Sequence, residues 1–236
     1  MTKYDKPVYL IAGGRGSRRK GPDPLLEEVF KGYGIKDPTV AYSGTASGDD
    51  KDFFQWISSS FCDAGAGKVV HAIIAPDGAD LKKARKILDE ADIVFVSGGD
   101  VEAGMDVLKQ KNMLDFFNGL YKQGKPFFGI SAGALMLAKE WVRWPDPDDD
   151  DSAELFPCLG YAPILCDAHD EQGGWEELQA ALKLEKKGVI GYGLASGSGV
   201  KVMPDGKVEA MGGKVWRYLR RGNKAERIED LVKDLA

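Results

Sequence analysis

Short apolar runs alternate with longer segments of helical period through the first two thirds of the chain. Pro7-Val8-Tyr9-Leu10-Ile11-Ala12 is rich in strand formers and stops at Gly13-Gly14. Residues 22–30 follow, with Leu25, Leu26, Val29 and Phe30 at helical spacing. The same alternation predicts strands at residues 39–43, 69–75, 93–97 and 126–130, and helices at 49–64, 79–90 and 113–123. Ile93-Val94-Phe95-Val96 is apolar throughout, as a strand covered on both faces requires. Strands alternating with helices imply right-handed crossovers and a mostly parallel sheet, so the expected fold is an α/β three-layer sandwich.

The last third has a different rhythm. Residues 188–194, 199–203, 207–211 and 215–220 read as short strands with a turn at Pro204-Asp205-Gly206, which predicts an antiparallel C-terminal extension of the sheet. Residues 227–235 read as a closing amphipathic helix. With no linker or internal repeat, a single domain over residues 1–236 is expected. The segment Trp144-Pro145-Asp146-Pro147-Asp148-Asp149-Asp150-Asp151 reads as a solvated loop, because dense like charges repel and prolines forbid a continuous helix.

Composition narrows the function classes. The 236 residues are 43% hydrophobic and 29% charged, an ordinary globular balance. Asp plus Glu number 37 against 32 Lys plus Arg, a net charge of -5 that argues against a nucleic-acid partner. No run approaches the roughly 18 apolar residues that span a bilayer, so neither membrane insertion nor secretion is expected. Cys62, Cys158 and Cys166 match no common zinc spacing and read as reduced core thiols of a cytoplasmic protein. There is no Gly-x-x-x-x-Gly-Lys-Ser/Thr phosphate loop, and no cofactor is expected.

The sharpest chemical signal is Gly129-Ile130-Ser131-Ala132-Gly133-Ala134, between a buried strand and an apolar helix. A nucleophile elbow needs small residues two positions either side of the serine, so that the backbone can turn sharply against its neighbours. Ser131 would then project from the carboxyl end of the sheet, with the Ala132 amide as an oxyanion donor. Gly98-Gly99-Asp100 follows a strand predicted to end at the same edge, so Gly99 could supply a second donor. Only two histidines are available as a base. His71 lies in the apolar stretch Val69 to Ile74 and reads as a core or strand-end residue, whereas His169, in Cys166-Asp167-Ala168-His169-Asp170, lies at a strand end among polar neighbours. Asp167 and Asp170 are both near enough in sequence to orient it. Arg15, Arg18 and Arg19 read as part of an exposed loop; folded over the site, they would reach a ligand carboxylate.

Together, Phe95-Val96-Ser97-Gly98-Gly99-Asp100, Gly124-Lys125-Pro126, the serine block and Cys166-Asp167-Ala168-His169-Asp170 resemble the dipeptidase E and cyanophycinase group of serine peptidases. The resemblance runs from the first strand to about Gly213. It implies a fold similar to class I glutamine amidotransferases, with Ser131 as nucleophile, His169 as general base, and the Gly99 and Ala132 amides as oxyanion hole. The chain departs from that pattern in two ways. Dipeptidase E carries its acid in a late Leu-Pro-Glu-Gly-Ser segment, where this chain reads Leu194-Ala195-Ser196-Gly197-Ser198. Cyanophycinases carry arginines just after the histidine, where this chain has Glu171-Gln172-Gly173-Gly174. A bidentate arginine suits a carboxylate clamp, so aspartyl substrates are not expected here. If the loop Asp148 to Asp151 borders the site, it favours cationic or neutral ligands.

Three readings follow. The leading one is a cytoplasmic serine hydrolase, a monomer or homodimer that cleaves small peptides through an acyl-enzyme on Ser131. The second is a binding protein that keeps the pocket but has lost catalysis with the acid at position 196. The third is an α/β-hydrolase-type esterase, which normally carries its histidine near the chain end, whereas none follows His169.

Overall fold

Every residue of Ile93 to Val96 is fully buried, and its side chains alternate between two separate apolar layers. Val94 and Val96 face one layer, Ile93 and Phe95 the other, and this double burial fixes the centre of the molecule. The computed structural model describes residues 6–13 and 21–233. In chain order these form β1 (Val8–Ile11), α1 (Pro24–Tyr33), β2 (Thr39–Ser43), α2 (Lys51–Asp63), β3 (Lys68–His71), α3 (Leu81–Glu90) and β4 (Ile93–Val96). Then come α4 (Val101–Gln110), α5 (Leu114–Lys122), β5 (Phe127–Ile130), α6 (Ala132–Leu137), β6 (Glu140–Arg143), β7 (Glu154–Pro157) and β8 (Leu165–Ala168). The chain closes with α7 (Glu176–Leu184), β9 (Ile190–Leu194), β10 (Ser198–Val202), β11 (Val208–Gly212), β12 (Val215–Arg221) and β13 (Lys224–Leu231).

The main sheet has the order β11-β10-β1-β5-β4-β2-β3. Its five strands from β1 to β3 run parallel, and β10 and β11 add the antiparallel edge. One face packs on α1 and α2 through an aromatic group in which Phe95 meets Phe61 and Phe128 at ring-centroid distances of 4.7 and 4.9 Å. The opposite face is covered by α3 to α6. Each such large side chain, fully buried, contributes about 1.5–3 kcal/mol. The mixed α/β layering with a mostly parallel central sheet is the one the sequence predicts.

Aspartates start the first four helices. Asp23, Asp50, Asp80 and Asp100 each accept a main-chain N–H of the first turn, and Pro24 follows the first of them at a position where it lacks no needed donor. Asp100 therefore has a structural task at the start of α4, a helix that the apolar spacing did not reveal.

Four expectations are corrected. The pattern of residues 227–235 predicts a helix, but 227–231 belong to β13, a strand paired with β12 across Gly222-Asn223, a two-residue turn in which Gly222 has φ +56°; positions 234 and 235 lie outside the described residues. Arg227 stacks on the cross-strand Trp216 ring at 3.8 Å, a contact that strand geometry alone provides. Second, β9, β12 and β13 do not extend the main sheet; they join β8 in a separate sheet ordered β13-β12-β9-β8. Third, the strand predicted at 69–75 stops at His71, because the N–H groups of Ile74 and Ala75 donate instead to Asp49 Oδ2, at 2.6 and 2.7 Å. Fourth, the thiols are free as expected, but Cys62 is exposed, Cys158 half-buried, and only Cys166 lies in the core. The segment 144–151 is the exposed connection of a β6–β7 hairpin. Arg15, Arg18 and Arg19 lie outside the described residues.

Candidate active site

β4 and β5 are parallel neighbours, with Val96 opposite Gly129, so the residues that follow them leave the sheet at one edge. Ser131 sits between β5 and α6 with φ 56° and ψ -125°. For a residue with a Cβ this conformation costs on the order of 1–3 kcal/mol and persists only where the surroundings enforce it. Here the Ser131 N–H donates to the Ile11 carbonyl at 2.9 Å, and the Ser131 carbonyl accepts from Ala134 N at 2.8 Å. The turn also needs close backbone contact: a Cβ at Gly133 would lie 2.0 Å from the Val96 oxygen, and one at Gly129 would lie 2.3 Å from the Gly133 oxygen. This accounts for both glycines of the small-x-Ser-x-small pattern.

The Gly98-Gly99 turn faces the serine. A Cβ at Gly98 would lie 3.2 Å from Ser131 Cβ and 3.7 Å from its Oγ. Among the described residues the amides of Gly99 and Ala132 donate to no acceptor. Behind this turn, Ser47 Oγ lies 3.4 Å from both Ser97 Oγ and Tyr42 OH, and Ser97 Oγ donates to the Gly98 carbonyl.

His169 follows β8 with φ 66°, and its N–H donates to Leu194 O at 3.1 Å. Main-chain bonds bring this strand end to the serine. Ser131 is bonded to Ile11, while Ala12 N donates to Ser198 O and Gly197 N to Gly13 O, just beyond the end of β9. Ser131 and His169 are thus connected through one run of main-chain bonds, and among the described residues no hydrogen bond joins their side chains. Burial lowers the His169 pKa from its ordinary value, and the charge of Glu171 acts against that shift. Burial thus favours the neutral imidazole, the form that a general base needs.

The two aspartates considered as partners for His169 point elsewhere. Asp167 is 4% exposed; its Oδ1 accepts from Ala168 N, and its carboxyl faces a small cavity lined by Trp141 and Glu177. Burial, reinforced by the Glu177 charge, pushes its pKa up to about 7. Asp170 caps the entry to α7, accepting from Glu176 N at Oδ2 and from Trp175 N at its carbonyl. Glu171, which the sequence reading passed over, accepts from Ser196 N at 2.9 Å through Oε1. Burial tends to raise its pKa, but the Ser196 N–H, its own amide, the Ser196 hydroxyl and nearby His169 outweigh burial, and the net shift is downward. A carboxylate two residues from a candidate base was the available signal.

His71 is placed at the strand end, as read: its Nε2 lies 2.9 Å from Asp49 Oδ1, and its ring stacks on Phe54 at 4.4 Å. The hairpin with the acidic loop is tied to the first turn of α4 by an ion pair between Arg143 and Glu102. Its aspartates Asp150 and Asp151 line a cavity of about 580 Å³ with Glu176, Gln179 and Lys183, and neither Ser131 nor His169 is among the lining residues.

Residues 8–209 match the model of peptidase family S51. The chain belongs to that family. Among curated family relatives, an uncharacterized peptidase, YgaJ, of Bacillus subtilis (strain 168) is 26% identical over 135 residues, 56% of this chain and 57% of that protein. Peptidase E of Haemophilus influenzae is 28% identical over 81 residues, 32% of this chain and 37% of that protein. A pyridoxal 5'-phosphate synthase subunit, PdxT, of Thermosipho africanus is 36% identical over 70 residues, 29% and 37% of the two chains. The chain thus spans between about a third and just over half of the curated relatives it matches. A peptidase crystal structure from an acI-B1 actinobacterium superposes with a TM-score of 0.67 at 15% identity, covering 98% of both chains. A putative peptidase E from Listeria monocytogenes EGD-e gives 0.60 at 14% identity, over 88% of this chain and 98% of that one. The two superpositions support the family's fold.

Proposed function

We propose that this chain is a serine peptidase that cleaves small peptides through an acyl-enzyme on Ser131. The observation that carries the reading is the enforced backbone conformation of Ser131 beside two amides, Gly99 and Ala132, that lack acceptors among the described residues. Membership of a peptidase family supports it.

In this mechanism Ser131 Oγ attacks the scissile carbonyl while His169 takes its proton. The carbonyl oxygen becomes an oxyanion facing the Gly99 and Ala132 amides, and a single donor of this kind typically contributes about 3–4 kcal/mol to the transition state. Collapse breaks the C–N bond, and His169 returns the proton to the leaving amine. A water, deprotonated by His169, then attacks the acyl ester; the ester bond breaks and Ser131 regains its proton. The free thiols Cys62, Cys158 and Cys166 suit a reducing compartment, and we place the enzyme in the cytoplasm.

The test is covalent labelling by a fluorophosphonate. Wild-type protein should label at Ser131 between about pH 6 and 9, Ser131→Ala should not label, and His169→Ala should label far more slowly. A second reading, a binding protein without catalysis, draws on Ser196 standing where the resembled peptidases carry glutamate. A wild-type protein that never labels, yet gains thermal stability with a small ligand, would favour that second reading. Turnover of esters without any peptide would favour an esterase.

A further inference from the structure

We propose that Glu171 orients the His169 imidazole and stabilises the imidazolium formed during the reaction, and that the acid of this site stands not at the end of β9, where Ser196 lies, but at the end of the adjacent strand β8. The inference rests on the serine-peptidase reading of Ser131 and His169.

The sheet supplies the reason. β8 and β9 run parallel as neighbours, Ala168 lying opposite Leu194, and the bond from His169 N to Leu194 O continues their pairing one step further. Residues 169–171 and 195–197 therefore leave the sheet side by side. A side chain starting at either 171 or 196 can deliver a carboxylate to the same place. The contact between Glu171 Oε1 and Ser196 N identifies which side chain fills it. Serine at 196 leaves the volume free, and its main-chain N–H holds the incoming carboxylate. Glu171 Oε2 is shut off from solvent and has no partner among the described residues, which leaves it free for an imidazole N–H.

The other acids near the histidine face elsewhere: Asp167 Oδ1 accepts from the Ala168 amide while its buried, unpartnered Oδ2 belongs to the cavity beside Glu177, and Asp170 caps the N-terminus of α7. Glu171 is also the group whose charge opposes the effect of burial on His169, and His169 in turn favours the ionised form of Glu171. An acid in this position fixes the tautomer and stabilises the imidazolium formed as Ser131 gives up its proton. Glu171 touches no reacting atom, so it is a positioning residue.

Two measurements on the intact chain test the assignment. The first is the NMR titration of the His169 imidazole in wild type and in Glu171→Gln. Removing the negative charge should move the midpoint to lower pH; an unchanged midpoint overturns the proposal, whether or not the protein is an active peptidase. The second is the rate of fluorophosphonate labelling of Ser131. Loss of the orienting acid in a serine triad costs up to about four orders of magnitude, so Glu171→Gln should slow labelling at least about a hundredfold. Glu171→Asp should fall between the two, and Asp167→Asn and Asp170→Asn should stay within about threefold of wild type. The double variant Glu171→Ala, Ser196→Glu puts the acid at the end of β9 and should recover at least about tenfold of the rate lost in Glu171→Ala alone. A Glu171→Gln protein that labels like wild type overturns the proposal while leaving Ser131 as nucleophile. A wild type that never labels sinks the peptidase reading instead, and the titration then decides on Glu171 alone. Should Glu171→Gln fail to fold, Glu171→Ala, which also removes the charge, carries the titration, with a midpoint shifted to lower pH expected and an unchanged one fatal.

Discussion

The carbonyl of Ala46 occupies the space in which a side chain at Gly99 would begin. A Cβ there would lie 2.0 Å from the Ala46 oxygen, and the same oxygen accepts from Asp100 N at 2.9 Å. Gly99 also has φ +141°, a conformation closed to residues with a Cβ.

Gly99→Ala should therefore lose both stability and reactivity. The clash is with backbone, so the whole turn must shift, and the expected cost is about 2–4 kcal/mol of stability. Displacing an oxyanion donor should slow Ser131 labelling by about 10²–10³. Gly119, inside α5 with nothing within 4 Å of its Cβ direction, is the control. Gly119→Ala should leave labelling unchanged and raise stability by about 0.4–1 kcal/mol. Denaturant melts and labelling rates on the two variants check this, and equal behaviour of the pair would refute it.

Asp167 gives a prediction of opposite sign. Its folded pKa of about 7 lies above the ordinary 3.8, so between those values the folded chain holds a proton that the unfolded chain has released. Its contribution to stability is thus favourable at low pH, falls as pH rises from about 4 to 7, and levels off once the buried carboxyl has ionised. The full span corresponds to a ceiling of about 4 kcal/mol. Asp167→Asn keeps the oxygen that accepts from Ala168 N and cannot ionise, so at pH 8 it should be more stable than wild type by on the order of 2–4 kcal/mol. Urea unfolding at pH 5 and pH 8 measures the difference. A variant less stable than wild type at pH 8 would show that the ionised carboxylate is needed.

Much of the fold and part of the site can be read from the sequence because they follow from local patterns. The unbroken apolar run Ile93 to Val96 reveals a doubly covered strand, and the glycines at 129 and 133 reveal a tight turn at Ser131. What escapes is decided by distant parts of the chain. The pattern from Arg227 to Leu231 fits a helix or a strand; stacking of Arg227 on Trp216 across the Gly222-Asn223 turn selects the strand. The end of β3 is set by Asp49, which lies 22 residues before His71 in the chain. Glu171 gains meaning only beside Ser196, 25 residues away, because β8 and β9 are neighbours in a second sheet that the strand pattern does not separate from the first.

The pH dependence of labelling follows from the surroundings of His169. Burial disfavours the imidazolium, Glu171 favours it, and the net effect is a pKa below the ordinary 6.5. The neutral base is the form that accepts the Ser131 proton, so the labelling rate should rise with pH, reach half its plateau below pH 6.5, and be nearly flat from about pH 7 upward. The same shift has a consequence for stability. Because the folded chain holds the His169 proton less tightly than the unfolded chain does, lowering the pH through the unfolded value costs stability, and the loss is complete once the folded imidazole is itself protonated. Labelling rates and the His169 share of stability, taken as the difference in urea midpoint between wild type and His169→Gln across pH 5 to 8, should therefore decline together on the acid side. His169→Gln, which cannot be protonated, should lose that share of the acid-side decline in stability. A half-plateau above pH 7 would mean that the imidazolium is favoured here and that the charge of Glu171, rather than burial, governs His169.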